Sequence, residues 1–109
     1  MKKLIASALF AAFSTCAAAQ STTVPAHITQ VSTGWGYDSF SVFLSVPLPN
    51  PAGCPLTDSA SVSSDSSGYK TYYAAALTAF TNDFPVTLVI SNTACEGSRP
   101  RIVGVALTH

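Results

Sequence analysis

The chain has 109 residues, of which 48% are hydrophobic and only 9% charged, and its formal net charge is zero. That length holds one domain. The composition excludes a charged disordered tail, and the charge balance leaves no basic footprint for nucleic acid.

Lys2 and Lys3 give the chain a basic start, residues 4–13 form an apolar run broken only by Ser7, and Ala17, Ala18 and Ala19 supply small residues. This is the pattern of a secretory signal peptide over residues 1–19, with cleavage expected after Ala19. The run is too short to cross a bilayer, so the mature form is expected to have no membrane span. A lipoprotein anchor on Cys16 is not expected, because Thr15 precedes it and Phe13 lies three before it. The domain then spans residues 20–109, exported to the periplasm or outside the cell. It keeps three cations (Lys70, Arg99, Arg101) against five acids (Asp38, Asp58, Asp65, Asp83, Glu96).

So small a domain buries a modest core and benefits from a covalent staple. Cys54 and Cys95 are the two cysteines beyond the signal, and an even count in an exported chain reads as one disulfide. Loop-closure entropy over their 41-residue separation predicts about 3–4 kcal/mol of stabilisation. Two cysteines without a nearby histidine do not make a metal site, and no cofactor is expected.

In chain order, residues 20–23 read as a loose polar tail. Residues 26–33 form a first strand, rich in β-branched side chains. Residues 34–38 (Gly-Trp-Gly-Tyr-Asp) form a turn whose glycines permit positive φ. Residues 39–46 make the clearest strand, with Phe40, Val42, Leu44 and Val46 on one face and Ser39, Ser41 and Ser45 on the other. Pro47, Pro49, Pro51 and Pro55 confine the next stretch to a loop or a sheet edge. Residues 56–63 carry a weaker third strand. The serine-rich run 59–67 reads as a strand edge approaching a helix.

The helix is the strongest signal. Tyr69, Tyr72, Tyr73, Ala76, Leu77 and Phe80 recur at helical spacing as one apolar stripe. Asp65, Ser66 and Ser67 offer N-caps, and Asn82, Asp83 and Pro85 end the pattern. Three tyrosines on one stripe are expected first to pack on the core with their hydroxyls at its rim, and as the alternative to stand exposed at a subunit interface or ligand site. Residues 86–91 form a fourth strand, 92–101 a loop with Cys95, and 102–107 a fifth strand in which Gly104 marks a bulge or bend. The order β-β-β-α-β-β matches a five-stranded OB-like Greek-key barrel.

Two stretches resemble a known family. One is Ile28-Thr29-Gln30 with Thr33-Gly34. The other runs from the tyrosine-bearing helix with Ala76-Leu77 and Phe80-Thr81 through Pro85-Val86 to Pro100 and Val103. Together they resemble the B subunits of subtilase cytotoxin and typhoid toxin, and their small stand-alone secreted relatives. The resemblance implies an OB fold, secretion, a sialylated glycan on a host-cell receptor as ligand, a toxin A subunit as partner, and a homopentameric ring with helices at its centre. Val24 and Ile90 stand where that family carries sugar-contacting Ser and Tyr, and Ser41 where it carries a cysteine. No sugar-binding residue is therefore carried over.

No convergent acid, base and nucleophile emerges. His27 and His109 are the histidines, and no Gly-x-Ser-x-Gly elbow or phosphate loop occurs. Catalysis is not expected; an enzyme would need a cleft holding His27 and an acid. Trp35 in the first turn either folds back to plug the barrel end or joins Tyr37 as a ligand contact, and Arg99 and Arg101 suit an acidic sugar or bridge to an acid such as Glu96. Tyr69, Tyr72 and Tyr73 are the expected interface residues. The leading expectation is a non-enzymatic, glycan-binding recognition module. The competing one is a stand-alone secreted or periplasmic protein that binds a protein partner, as an inhibitor or an envelope-stress factor.

Overall fold

Alternation along the strands sets the architecture. The computed structural model describes residues 20–34 and 36–109. The expected signal peptide and Trp35 lie outside the described residues. The elements are β1 (Gln20–Thr22), β2 (Ile28–Thr33), β3 (Ser39–Leu44), β4 (Ala60–Ser63), α1 (Tyr69–Asn82), β5 (Val86–Glu96) and β6 (Arg99–Leu107). The described residues are thus mainly β with one helix. No described helix is long and apolar enough to cross a membrane.

The sheet has six strands in the order β1-β5-β6-β4-β3-β2. Every pairing is antiparallel except β4 with β6, which run parallel with Ser61 opposite Arg101. Phe40 and Val42 of β3, Ala60 and Val62 of β4, Val86, Leu88 and Ile90 of β5 and Ile102 of β6 form the core, and Ala76 and Ala79 of α1 cap it. The period of two on the strands and the period of 3.6 on the helix meet on this one apolar face. The helix lies against β2 and β6.

Six strands replace the expected five because residues 20–22 are not a loose tail. Gln20 pairs with Ser91 and Thr22 with Val89. The Thr23 N–H donates to the Leu88 carbonyl, and the Thr23 hydroxyl accepts from the Leu88 N–H, each at 3.0 Å. A three-residue polar segment has no periodicity of its own, and the free edge of β5 supplies its structure. The expected first strand begins at Ile28 instead of residue 26. Ala26 makes a separate bridge to Val86, and a register shift follows between Ile28 and Gln30. The second strand ends at Leu44, two residues short of the expected limit, and the third covers only Ala60–Ser63.

The expected loop 92–101 is largely strand. The ladder resumes at Cys95 opposite Pro100 and closes at Glu96 opposite Arg99. Between Ile90 and Cys95 the β5 side carries extra residues. There the Ser91 hydroxyl accepts from the Thr93 and Ala94 N–H groups at 3.2 and 3.1 Å. This side-chain turn interrupts the ladder, whereas Gly97 and Pro100 are what make the segment read as a loop in the sequence. Gly97, at φ 60°, turns the chain back.

Cys54 and Cys95 form the expected disulfide, with Cα atoms 5.8 Å apart. It fastens the proline-rich segment to the end of β5, beside a Leu56 N–H bond to the Ser98 carbonyl of 2.9 Å.

The helix departs from its expected stripe in two ways. The N-cap is Gly68, which makes no side-chain cap bond, in place of Asp65, Ser66 or Ser67. Glycine suits the close approach there: a Cβ would press on the far end of the Tyr72 side chain and force it to shift. The buried stripe also turns toward Ala76 and Ala79, leaving Leu77 and Phe80 37% and 41% exposed. Leu77 sits about 100° around the helix from Ala76, and the two small alanines let the helix lie close to the sheet. The C-terminus is as expected: Asp83 takes the left-handed conformation, its N–H bonded to the Ala79 carbonyl, and Pro85 follows.

Candidate functional site

The residues that alternate with the core build the other face of the sheet. Gln30 and Ser32 from β2, Ser39, Ser41 and Phe43 from β3, and Ser59 and Ser61 at β4 line a groove of about 270 Å³. Tyr37, from the β2–β3 turn, and residues 96–99, from the β5–β6 reversal, complete its lining. The volume lies near the small end for ligand pockets, which run from roughly 300 Å³ upward.

Hydroxyls make the floor. Ser39, Ser59 and Ser61 are buried although they point away from the core. The Ser41 and Ser61 hydroxyls lie 2.7 Å apart, and either can donate. Such a pair presents both a donor hydrogen and free lone pairs to a third hydroxyl. The Gln30 amide donates to the Ser32 hydroxyl at 2.9 Å, and the Ser39 hydroxyl donates to the Gly34 carbonyl at 2.8 Å, which holds the β2–β3 turn against the groove. Phe43 and the 52% exposed Tyr37 add aromatic surface.

The charged groups at this end are paired. Arg99 donates through Nε and Nη2 to both carboxylate oxygens of Asp58, at 2.7 and 3.1 Å. The Arg99 hydrogen bond holds the Asp58 carboxyl below its ordinary range against a partial loss of water, and Asp58 in turn raises Arg99. Arg101 donates to Glu96 Oε1 at 3.2 Å and to the Cys95 carbonyl at 3.1 Å. The Glu96 side chain is only 10% exposed.

Of the four expected ligand residues, the structure brings Tyr37 and Arg99 to the groove. Arg101 is not part of its lining and is paired with Glu96, and Trp35 lies outside the described residues. The serine floor and Asp58 carried no sequence signal of their own. The alternation of Ser39 and Ser41 with Phe40 and Val42 was the one available hint.

The three tyrosines expected at a subunit interface face their own sheet. Tyr72 donates to the Val103 carbonyl at 2.9 Å. Tyr69 and Tyr73 pack on Phe40 with ring centroids 5.7 and 5.1 Å away. The Tyr69 hydroxyl also donates to Asp38 Oδ1 at 2.6 Å, joining the β2–β3 turn to the start of α1. That bond to a carboxylate, then desolvation and the Asp38 charge, push the Tyr69 phenol up to about 12.

His27 Nδ1 lies 2.9 Å from Asp83 Oδ1, so an acid does stand beside this histidine. Both side chains are open to solvent, at 49% and 83% exposure, and neither lines the groove. Among the described residues, no group of three or more His, Cys, Asp or Glu side chains is placed to hold a metal ion.

No family model matches the chain, and no curated protein or solved structure matches it either.

Proposed function

We propose that this chain is an exported, non-enzymatic recognition module that holds a carbohydrate in the β2–β3–β4 groove. The observation that carries the reading is the Ser41–Ser61 hydroxyl pair on a buried serine floor, flanked by Tyr37 and Phe43. A sugar offers a ring of hydroxyls and an apolar C–H face, and the groove offers the complement of both.

The strand order supports an OB-like reading of the fold. β1, the Ala26–Val86 bridge and β2 follow one another as a single bent strand, paired with β5 at its start and with β3 at its end. β4 runs parallel to β6, and the helix stands between β4 and β5. OB folds bind oligosaccharides and oligonucleotides on this strand face and its two flanking turns. A nucleic-acid ligand is disfavoured because it needs a positive groove, whereas Arg99 and Arg101 are each paired with a carboxylate. The disulfide fits an oxidising compartment.

A glycan array probed with the purified, disulfide-intact protein tests the reading. Retention on defined glycans supports it. A blank array contradicts it and favours a protein ligand.

A second reading, a closed assembly of copies like the ring implied by the toxin-type resemblance, rests on the exposed Leu77 and Phe80 of α1. Light scattering over a concentration series tests it. A multiple of the chain mass that falls to one chain in Leu77→Glu supports it, and a single-chain mass at every concentration contradicts it.

A further inference from the structure

We infer that the groove selects uncharged sugars and that Asp58 sets this selectivity by occupying Arg99. The inference rests on the carbohydrate reading above and names the class of sugar.

An acidic sugar would need a pair of unoccupied donors for its carboxylate, and the Nε–Nη2 edge of arginine is the side chain best shaped for that task. At Arg99 both donors of that edge are already given to the two oxygens of Asp58. Asp58 is therefore an internal counterpart of the carboxylate an acidic ligand would bring. The second arginine gives no alternative, since Arg101 Nε and Nη2 are committed to Glu96 and to the Cys95 carbonyl. Glu96 lines the groove while its partner Arg101 does not, so the wall presents the carboxylate side of that ion pair to an incoming anion.

What remains for the ligand is neutral. Ser41 and Ser61 offer hydroxyls that accept or donate as needed, and Gln30 and Ser32 add a polar wall. Tyr37 and Phe43 give aromatic surface suited to an apolar ring face. A volume of about 270 Å³ seats a short terminal unit of a chain. The family resemblance implies the opposite class, a sialylated glycan, so the two expectations separate cleanly.

The test is an array of matched pairs: 3′-sialyllactose beside lactose, and a sialylated biantennary N-glycan beside its desialylated form. It is probed with the protein and with Asp58→Asn. The inference predicts that the protein retains the neutral member of a pair by about tenfold or more over its acidic partner. Asp58→Asn, which removes the competing carboxylate charge and one of the two acceptors held by Arg99, is predicted to raise the acidic-to-neutral ratio by about tenfold, the scale of one charge-assisted contact.

Equal or stronger retention of the acidic members by the unaltered protein overturns the inference and leaves the carbohydrate reading standing. Retention of no member overturns the carbohydrate reading, and the inference with it. An unmoved ratio in folded Asp58→Asn, checked by its thermal melt, overturns the assignment to Asp58. The ratio in the unaltered protein decides the sugar class independently of the variant.

Discussion

The two faces of β3 and β4 are built from alternating residues of the same few strands, and they are buried for different reasons. On the inner face Phe40, Val42, Ala60 and Val62 are at most 1% exposed and pack beneath α1. On the outer face Ser39, Ser61 and Ser63 are also buried, at 4–7% exposure, yet they contribute hydroxyls. Burying the first set drives folding. Burying the second set leaves no buried side-chain polar atom without a partner among the described residues, while the Ser41–Ser61 pair keeps further donor and acceptor capacity toward the groove. In the proposed reading the difference separates stability from recognition: one strand position serves the fold and its neighbour serves the ligand.

The largest expected effect breaks the inner face. Phe40→Ala removes a ring that is 1% exposed and touches Tyr69 and Tyr73, at a cost of about 3–5 kcal/mol, read by chemical denaturation. A loss near zero would show that the helix does not depend on this contact.

Next comes the staple. Replacing Cys54 and Cys95 together by serine is expected to cost about 2–5 kcal/mol. It should also weaken ligand retention, because the disulfide fastens the segment leading to Asp58 to the strand that ends in Glu96. Unchanged stability and retention would place the fold's support elsewhere.

Gly68→Ala is smaller. Its Cβ would press on the Tyr72 ring that donates to the Val103 carbonyl, and the expected cost is about 1–3 kcal/mol, read from the melting temperature. Gly68 has an ordinary negative φ of −91°, so restoring stability requires making room, as in Gly68→Ala with Tyr72→Leu, whereas Tyr72→Phe keeps the ring carbons nearest the new Cβ.

The smallest effects come from pH. Tyr69 has a folded value of about 12 against 10.0 for the free group. Its bond to Asp38 therefore stabilises the fold fully below pH 10, and that contribution is lost as pH rises toward 12. Asp58 works in the opposite direction. Its folded value lies below 3.8, so its contribution is present above that pH and is lost as pH falls through the folded value. Tyr69→Phe should flatten the alkaline limb of a melting-temperature profile and Asp58→Asn the acid limb. Either limb surviving its variant contradicts the assignment.

The fold was legible where its signals are local. The helix, the disulfide and the β2–β3 hairpin follow from tyrosine and alanine spacing, from cysteine number, and from the alternation of residues 39–44 around two turn glycines. β1 was not legible, because Gln20, Ser21 and Thr22 become a strand only on the edge of β5, some 70 residues away. The end of β5 was hidden because Gly97 and Pro100 read as loop residues, although Pro100 sits in the ladder opposite Cys95. Site residues divided in the same way. Tyr37 and Arg99 stand out by type and place. Ser41 and Ser61 are single serines until the β3–β4 register sets them opposite each other, and Asp58 meets Arg99 across 41 residues of chain.

The central claim is that the outer serine face binds the ligand. Ser61→Val tests it most directly, by removing one hydroxyl of the floor pair without touching the inner core. The account predicts a melting temperature within a few degrees of the unaltered protein, together with a loss of glycan-array signal of about tenfold or more. A folded Ser61→Val that keeps its full signal would contradict it.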